Sequence, residues 1–154
     1  MSSTYFFVLL FVVFVNGSPL KETCTATVWD SGTGPCRAAI QTDLECSNSA
    51  LDIGQTKYVT CDAVQFSWSY PMNNLTITIG TQYTYQRKPF TLYLDNRGQT
   101  IYRIHDGGQE TEITSRDKVI IQYSDANYQI ILKFQEADTI GPYLGFINYK
   151  VAPQ

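Results

Sequence analysis

His105 is the only side chain in the sequence with the ordinary pKa of a neutral-pH general base. It stands beside Asp106-Gly107-Gly108, a turn pattern, and no G-x-S-x-G elbow presents a serine to it. A solvent-exposed turn histidine is the reading that follows. Glycoside hydrolysis needs two carboxylates converging on one bond. Fourteen acidic residues keep a small hydrolase with paired carboxylates as an alternative. One close pair, Glu110 and Glu112, stands beside a turn and reads as a solvated strand edge. Glycine-rich phosphate or dinucleotide fingerprints are missing. The chain is therefore expected to be no enzyme, with no catalytic residues and no cofactor.

Cys24, Cys36, Cys46 and Cys61 offer a second chemistry. Zinc would ask for C-x2–4-C pairs, and none is present, so no metal is expected. An even count reads instead as two disulfides, in any of three connectivities, which leaves no thiolate for catalysis. Asn74-Leu75-Thr76 is an N-glycosylation sequon at a predicted turn, after Pro71-Met72-Asn73.

The elements that carry these residues begin with an address. Tyr5 to Val15 is an unbroken apolar run, much shorter than the about 20 residues a membrane span needs. Small residues follow, with Val15 and Gly17 at −3 and −1 if cleavage precedes Ser18. A signal peptide over 1–17 and a secreted, extracellular single domain over 18–154 are expected. No membrane span is expected after its removal.

The 154 residues are 44% hydrophobic, 14% aromatic and 16% charged, with a net charge of −3. A pI near 5.0 argues against nucleic acid as partner, because that role normally needs a basic face. From Lys57 onward the apolar period is two. Val64, Phe66, Trp68 and Tyr70 alternate with polar residues, and Leu75, Ile77 and Ile79 follow as an expected hairpin partner. Shorter pieces recur at Tyr83–Tyr85, Phe90–Leu94, Thr100–Ile104, Lys118–Tyr123, Tyr128–Gln135 and Tyr143–Val151. Eight or nine strands at this spacing predict an all-β antiparallel sandwich or barrel. The best helix signal is Arg37 to Glu45, and the cysteine-rich segment around it reads as loop-rich and dependent on its disulfides.

Residues 128–149, YQIILKFQEADTIGPYLGFINY, run from an alternating strand through an acidic loop to Gly-Phe and Tyr. This resembles the closing strands of CUB domains, and FTLYLDNRGQ and EITSRDKVIIQY occupy the places of their middle strands. The likeness is to the divergent, single CUB-like domains of short secreted nematode proteins, and covers about the last 70 residues. It implies a jelly-roll-like β-sandwich and an extracellular role, often in defence or stress (an innate immune response). Departures are the clustering of all cysteines in the N-terminal part and a closing Gly-Phe…Tyr spacing one residue short. Of the acids that hold calcium in many CUB domains, only Asp138 has a counterpart here.

The expectation for function is a non-enzymatic binding module for an extracellular protein or glycan ligand. A lipocalin-like carrier of a small apolar ligand and the paired-carboxylate hydrolase are the alternatives. Binding is expected in loops and exposed strand faces of the C-terminal half, with Arg97, His105, Asp106, Glu136 and Asp138 as candidates. The sequence leaves the oligomeric state open.

Overall fold

A computed structural model describes residues 23–43, 45–69, 73–95, 97–135 and 144–154. The expected signal segment 1–17 and the candidate residues Glu136 and Asp138 lie outside the described residues.

Twelve strands form two six-stranded sheets. They are β1 (Cys24–Thr25), β2 (Thr27–Asp30), β3 (Arg37–Gln41), β4 (Asn48–Asp52), β5 (Ala63–Ser69), β6 (Asn74–Ile79), β7 (Phe90–Asp95), β8 (Thr100–Ile104), β9 (Glu110–Glu112), β10 (Val119–Tyr123), β11 (Ile130–Gln135) and β12 (Leu144–Pro153). The first sheet runs β1-β4-β6-β11-β8-β9, and the second β10-β7-β12-β5-β3-β2. No helix among the described residues is long and apolar enough to cross a membrane.

Period-two alternation explains why the sheets stack. β5 turns Val64, Phe66 and Trp68 inward, and β6 does the same with Leu75, Ile77 and Ile79. Leu92, Leu94, Leu132 and Phe134 join them in one buried cluster shared by both sheets. Phe66 is held edge-on between Tyr58 and Tyr149, at centroid distances of 5.5 and 6.3 Å. Burying each such side chain contributes about 1.5–3 kcal/mol. Phe66 and Trp68, which alternate with polar residues in the sequence, are in this core together with Leu92, Leu132 and Phe134.

Five expectations need correction. β5 and β6 are not a hairpin. They lie in different sheets, β5 between β12 and β3, and β6 between β4 and β11. Alternation shows that each strand buries one face and is silent on which side of the core it lies. Nor is the sandwich purely antiparallel, because β1–β4, β3–β5 and β4–β6 are parallel pairs. All three involve strands from the cysteine-rich segment, which holds four strands where loop was expected. Arg37–Gln41, read as helical, is a strand whose Ala38 and Ile40 face inward. Its two small alanines made the period faint. Tyr83 and Tyr85, read as a strand piece, belong instead to a one-turn helix, α1 (Gln82–Tyr85). Thr81 and Thr84 close a capping box there, which satisfies the helix's first N–H groups.

Both disulfides form, Cys24–Cys46 and Cys36–Cys61, and no cysteine is free. Each ties the N-terminal strands of one sheet. The first fastens β1 to the lead-in of β4, and the second joins the residues just before β3 and β5.

Candidate functional site

The side chains that face away from the core separate the two sheets. Eight large apolar residues are exposed among the described residues: Trp29, Tyr85, Tyr93, Val119, Ile121, Tyr123, Leu144 and Phe146. All but Tyr85 lie on the outward face of the second sheet. Strand register places them in two groups. Ile121 is opposite Tyr93, between Val119 and Tyr123 on the edge strand β10. On the other side, Leu144 and Phe146 of β12 face Ser69 and Ser67 of β5, and Trp29 lies across Ala39 of β3.

A polar row crosses the strands between these groups. Arg37 on β3 pairs with Gln65 on β5, which pairs with Asn148 on β12. Beyond β12, Arg97 follows β7 and donates from Nη2 to Asp95 Oδ2 at 3.4 Å. Together Ser31, Thr33, Arg37, Gln65, Ser67, Arg97, Phe146 and Asn148 line an open hollow of about 390 Å³. That volume is within the about 300–1,000 Å³ of ligand sites.

Local sequence explains how the hollow is built. Gly32 and Gly34 take positive φ values of 67° and 151°, which bend the chain tightly between β2 and β3. The Gly32 N–H donates to Asp30 Oδ1, and the Ser31 and Thr33 hydroxyls bond each other at 2.9 Å, forming the rim. Cys36 fixes the wall. Its carbonyl accepts the Gln65 N–H at 3.0 Å, and its disulfide to Cys61 holds the entrances of β3 and β5 side by side. Arg37 and Gln65 therefore hold a set spacing.

The electrostatics are one-sided. Among the described residues, two guanidinium groups line the hollow and no carboxylate does. Arg97 shares its charge with Asp95 in a half-exposed pair, whereas Arg37 forms no ion pair among the described residues. Asp30, on the rim strand, is neutralised by Lys57, whose ammonium lowers the Asp30 pKa below the usual carboxylate value and has its own raised. Another hollow, of about 570 Å³ beside Thr25, Gln41 and Asp43, has no aromatic ring and no cation among the described residues.

Of the residues singled out in the sequence, Arg97 is in the hollow. His105 and Asp106 are not. They sit in the β8–β9 turn of the first sheet, where the His105 N–H donates to the Gln109 carbonyl and Gly107 and Gly108 supply positive φ. The charge of Asp106 acts on Arg103, a buried guanidinium whose pKa is lowered by burial and supported by Asp125 and Asp106. Glu110 and Glu112 are exposed on β9, and Glu110 is bound by Lys133 at 2.9 Å. Cys24, Cys46 and Asp43 converge within 4.8 Å, but the two sulfurs are bonded to each other. Asn74 opens β6 on the outward side of the first sheet, with the sequon hydroxyl of Thr76 3.1 Å from Asn48 Oδ1.

Tyr93 was legible in the sequence as an outward ring on its strand, whereas Arg37, Gln65, Asn148 and the other exposed apolar residues escaped the sequence reading. Outward Leu144 and Phe146 were legible in the period of β12, which sets them opposite Gly145, Ile147 and Tyr149. The chain matches no protein-family model, and a search of curated proteins finds no match.

Proposed function

We propose that the chain is a secreted, non-enzymatic binding module whose recognition surface is the outward face of the second sheet. The observation that carries this reading is the concentration of exposed rings and aliphatic chains there. Seven of the eight large exposed apolar residues share that face, around a polar hollow. Scattered apolar residues on a surface need no explanation, whereas a gathering on one face marks an interaction site. Two disulfides in one small domain support an oxidising, extracellular setting. We further read the sandwich as a divergent CUB-like, jelly-roll-like domain with a role in extracellular defence or stress. This rests on the closing-strand likeness at Gly145-Phe146 and Tyr149.

The location refines the expected one. C-terminal strands β7, β10 and β12 supply most of the face, and β2 and β3 from the cysteine-rich segment complete it. Of the loops and exposed strand faces expected, the strand faces of one sheet carry the site.

The test is capture by the refolded chain of a panel of extracellular matrix proteins and glycans spotted on a surface. A Trp29→Ala/Phe146→Ala variant should lose at least about tenfold in apparent affinity for whatever the native chain retains. A Tyr102→Ala/Thr78→Ala variant, altered on the outward face of the first sheet, should bind as the native chain does. The opposite outcome, loss only in the second variant, overturns the reading.

A further inference from the structure

We infer that the hollow on the second sheet receives an anionic glycan, with Arg37 and Arg97 holding carboxylate or sulfate groups of a sugar chain. This rests on the recognition face proposed above and names its ligand class.

Three features converge. First, among the described residues the lining has two guanidinium groups and no acid, in a chain of net charge −3. A local positive patch on an acidic protein attracts anions without general affinity for them elsewhere. Guanidinium forks match planar carboxylate and tetrahedral sulfate by paired hydrogen bonds. Second, the floor between the arginines is amide and hydroxyl: Gln65, Asn148 and Ser67, with Ser31 and Thr33 on the rim. Such groups both donate and accept, as the hydroxyl rows of a sugar require. Third, the half-exposed ring of Phe146 borders the same hollow and offers an apolar face to sugar C–H groups. Three strand-to-strand steps separate β3 from β7 across β5 and β12. At about 4.8 Å each they give roughly 14 Å, the span of a short oligosaccharide.

An acidic peptide fits less well. Extended peptides gain affinity by pairing their backbone with an open sheet edge. The hollow lies over β3, β5 and β12, each flanked by a strand on both sides. At its centre, Gln65 and Ser67 of β5 are paired with strands on both sides, so side chains do the binding there.

The experiment titrates the folded native chain with heparin, hyaluronan, a neutral chitin hexasaccharide and poly-glutamate, by calorimetry at low and moderate salt. Heparin or hyaluronan should bind, each more weakly as salt rises, and the two arms separate sulfate from carboxylate as the favoured group. Arg37→Ala/Arg97→Ala should lower that affinity at least about tenfold, since a hydrogen bond to a charged group contributes about 1.5–3 kcal/mol. Phe146→Ala should lower it too, and Lys88→Gln, a change of exposed charge elsewhere, should not. Circular dichroism of each variant confirms the native fold. Poly-glutamate bound as tightly as the glycans, binding of the neutral sugar alone, or equal loss in Lys88→Gln each overturns the inference. If none of the four probes binds while the Trp29/Phe146 variant still loses captured matrix protein, the glycan fails and the recognition face stands. If the Trp29/Phe146 variant loses nothing either, both fall.

Discussion

The outward face of the first sheet satisfies itself, and that of the second does not. On the first, Thr76 is within hydrogen-bonding distance of Asn48, and Lys133 bonds both oxygens of Glu110 while lying 5.6 Å from the Tyr102 ring centre. Cross-strand pairs of this kind stabilise a sheet and leave little for a ligand to gain. Across the molecule, β7, β10 and β12 expose Tyr93, Ile121 and Phe146, and Arg37 has no ionic partner among the described residues. Exposed tyrosines thus differ by neighbourhood. Tyr102 belongs to an internal pair, while Tyr93 belongs to a face left open. A polar or aromatic residue on a strand signals recognition only when its own sheet leaves it unmatched.

The disulfides give the sharpest way to break this contrast. Replacing Cys36 and Cys61 by serine should cost about 2–5 kcal/mol, and so should replacing Cys24 and Cys46. Ligand capture should part them. Measured per folded molecule, in the cold, the Cys36/Cys61 variant should lose binding because Arg37 and Gln65 lose their fixed spacing. The Cys24/Cys46 variant should keep it. Equal capture by both would show that the bridge beside the hollow does not shape it.

Alkaline pH probes the two sheets from inside. Tyr149, buried in the second, has its phenol pKa raised by burial. The unfolded chain ionises this phenol near pH 10 and the folded one only above that. Above about pH 10 the folded state therefore holds more protons, and stability falls as pH rises. Tyr149→Phe should change stability at neutral pH by about 1 kcal/mol. It should also flatten the alkaline loss in urea melts between pH 9 and 11 (about one unit either side of the ordinary phenol value). An unchanged slope would place the alkaline weakness elsewhere.

The smallest effect is expected on the closed face. Asn74→Gln, in protein secreted from a eukaryotic host, should remove the mass of one glycan and shift Tm by no more than a degree or two. Capture should not change, because Asn74 and the hollow are on opposite sides of the sandwich. A glycan whose removal altered capture would join the two faces functionally.

Strands were legible wherever large apolar residues alternate with polar ones. Phe66 and Trp68, or Leu132 and Phe134, announce both strand and buried face. The cysteine-rich strands were illegible because Ala38, Ser49 and Ala50 carry little hydrophobic signal, and neighbouring strands and two bridges impose their register. Strand direction was illegible as well, since a period of two is the same read either way. Arg97 was found from its turn position. Arg37 and Asn148 could not be, because they meet only through pairing across β5, between residues 111 positions apart in sequence.

The place of β12 also sets a schedule. The last of the twelve strands to be synthesised lies in the middle of its sheet, between β5 and β7. At about 5–20 residues per second, roughly 4–15 s pass between completion of Ser69 and the arrival of Leu144 at the ribosome. Over that interval β5, and β7 once Asp95 is made, present an edge without β12, and their alternative is to pair with a neighbouring chain. The second sheet closes only when this central strand arrives, so its outward face is completed late.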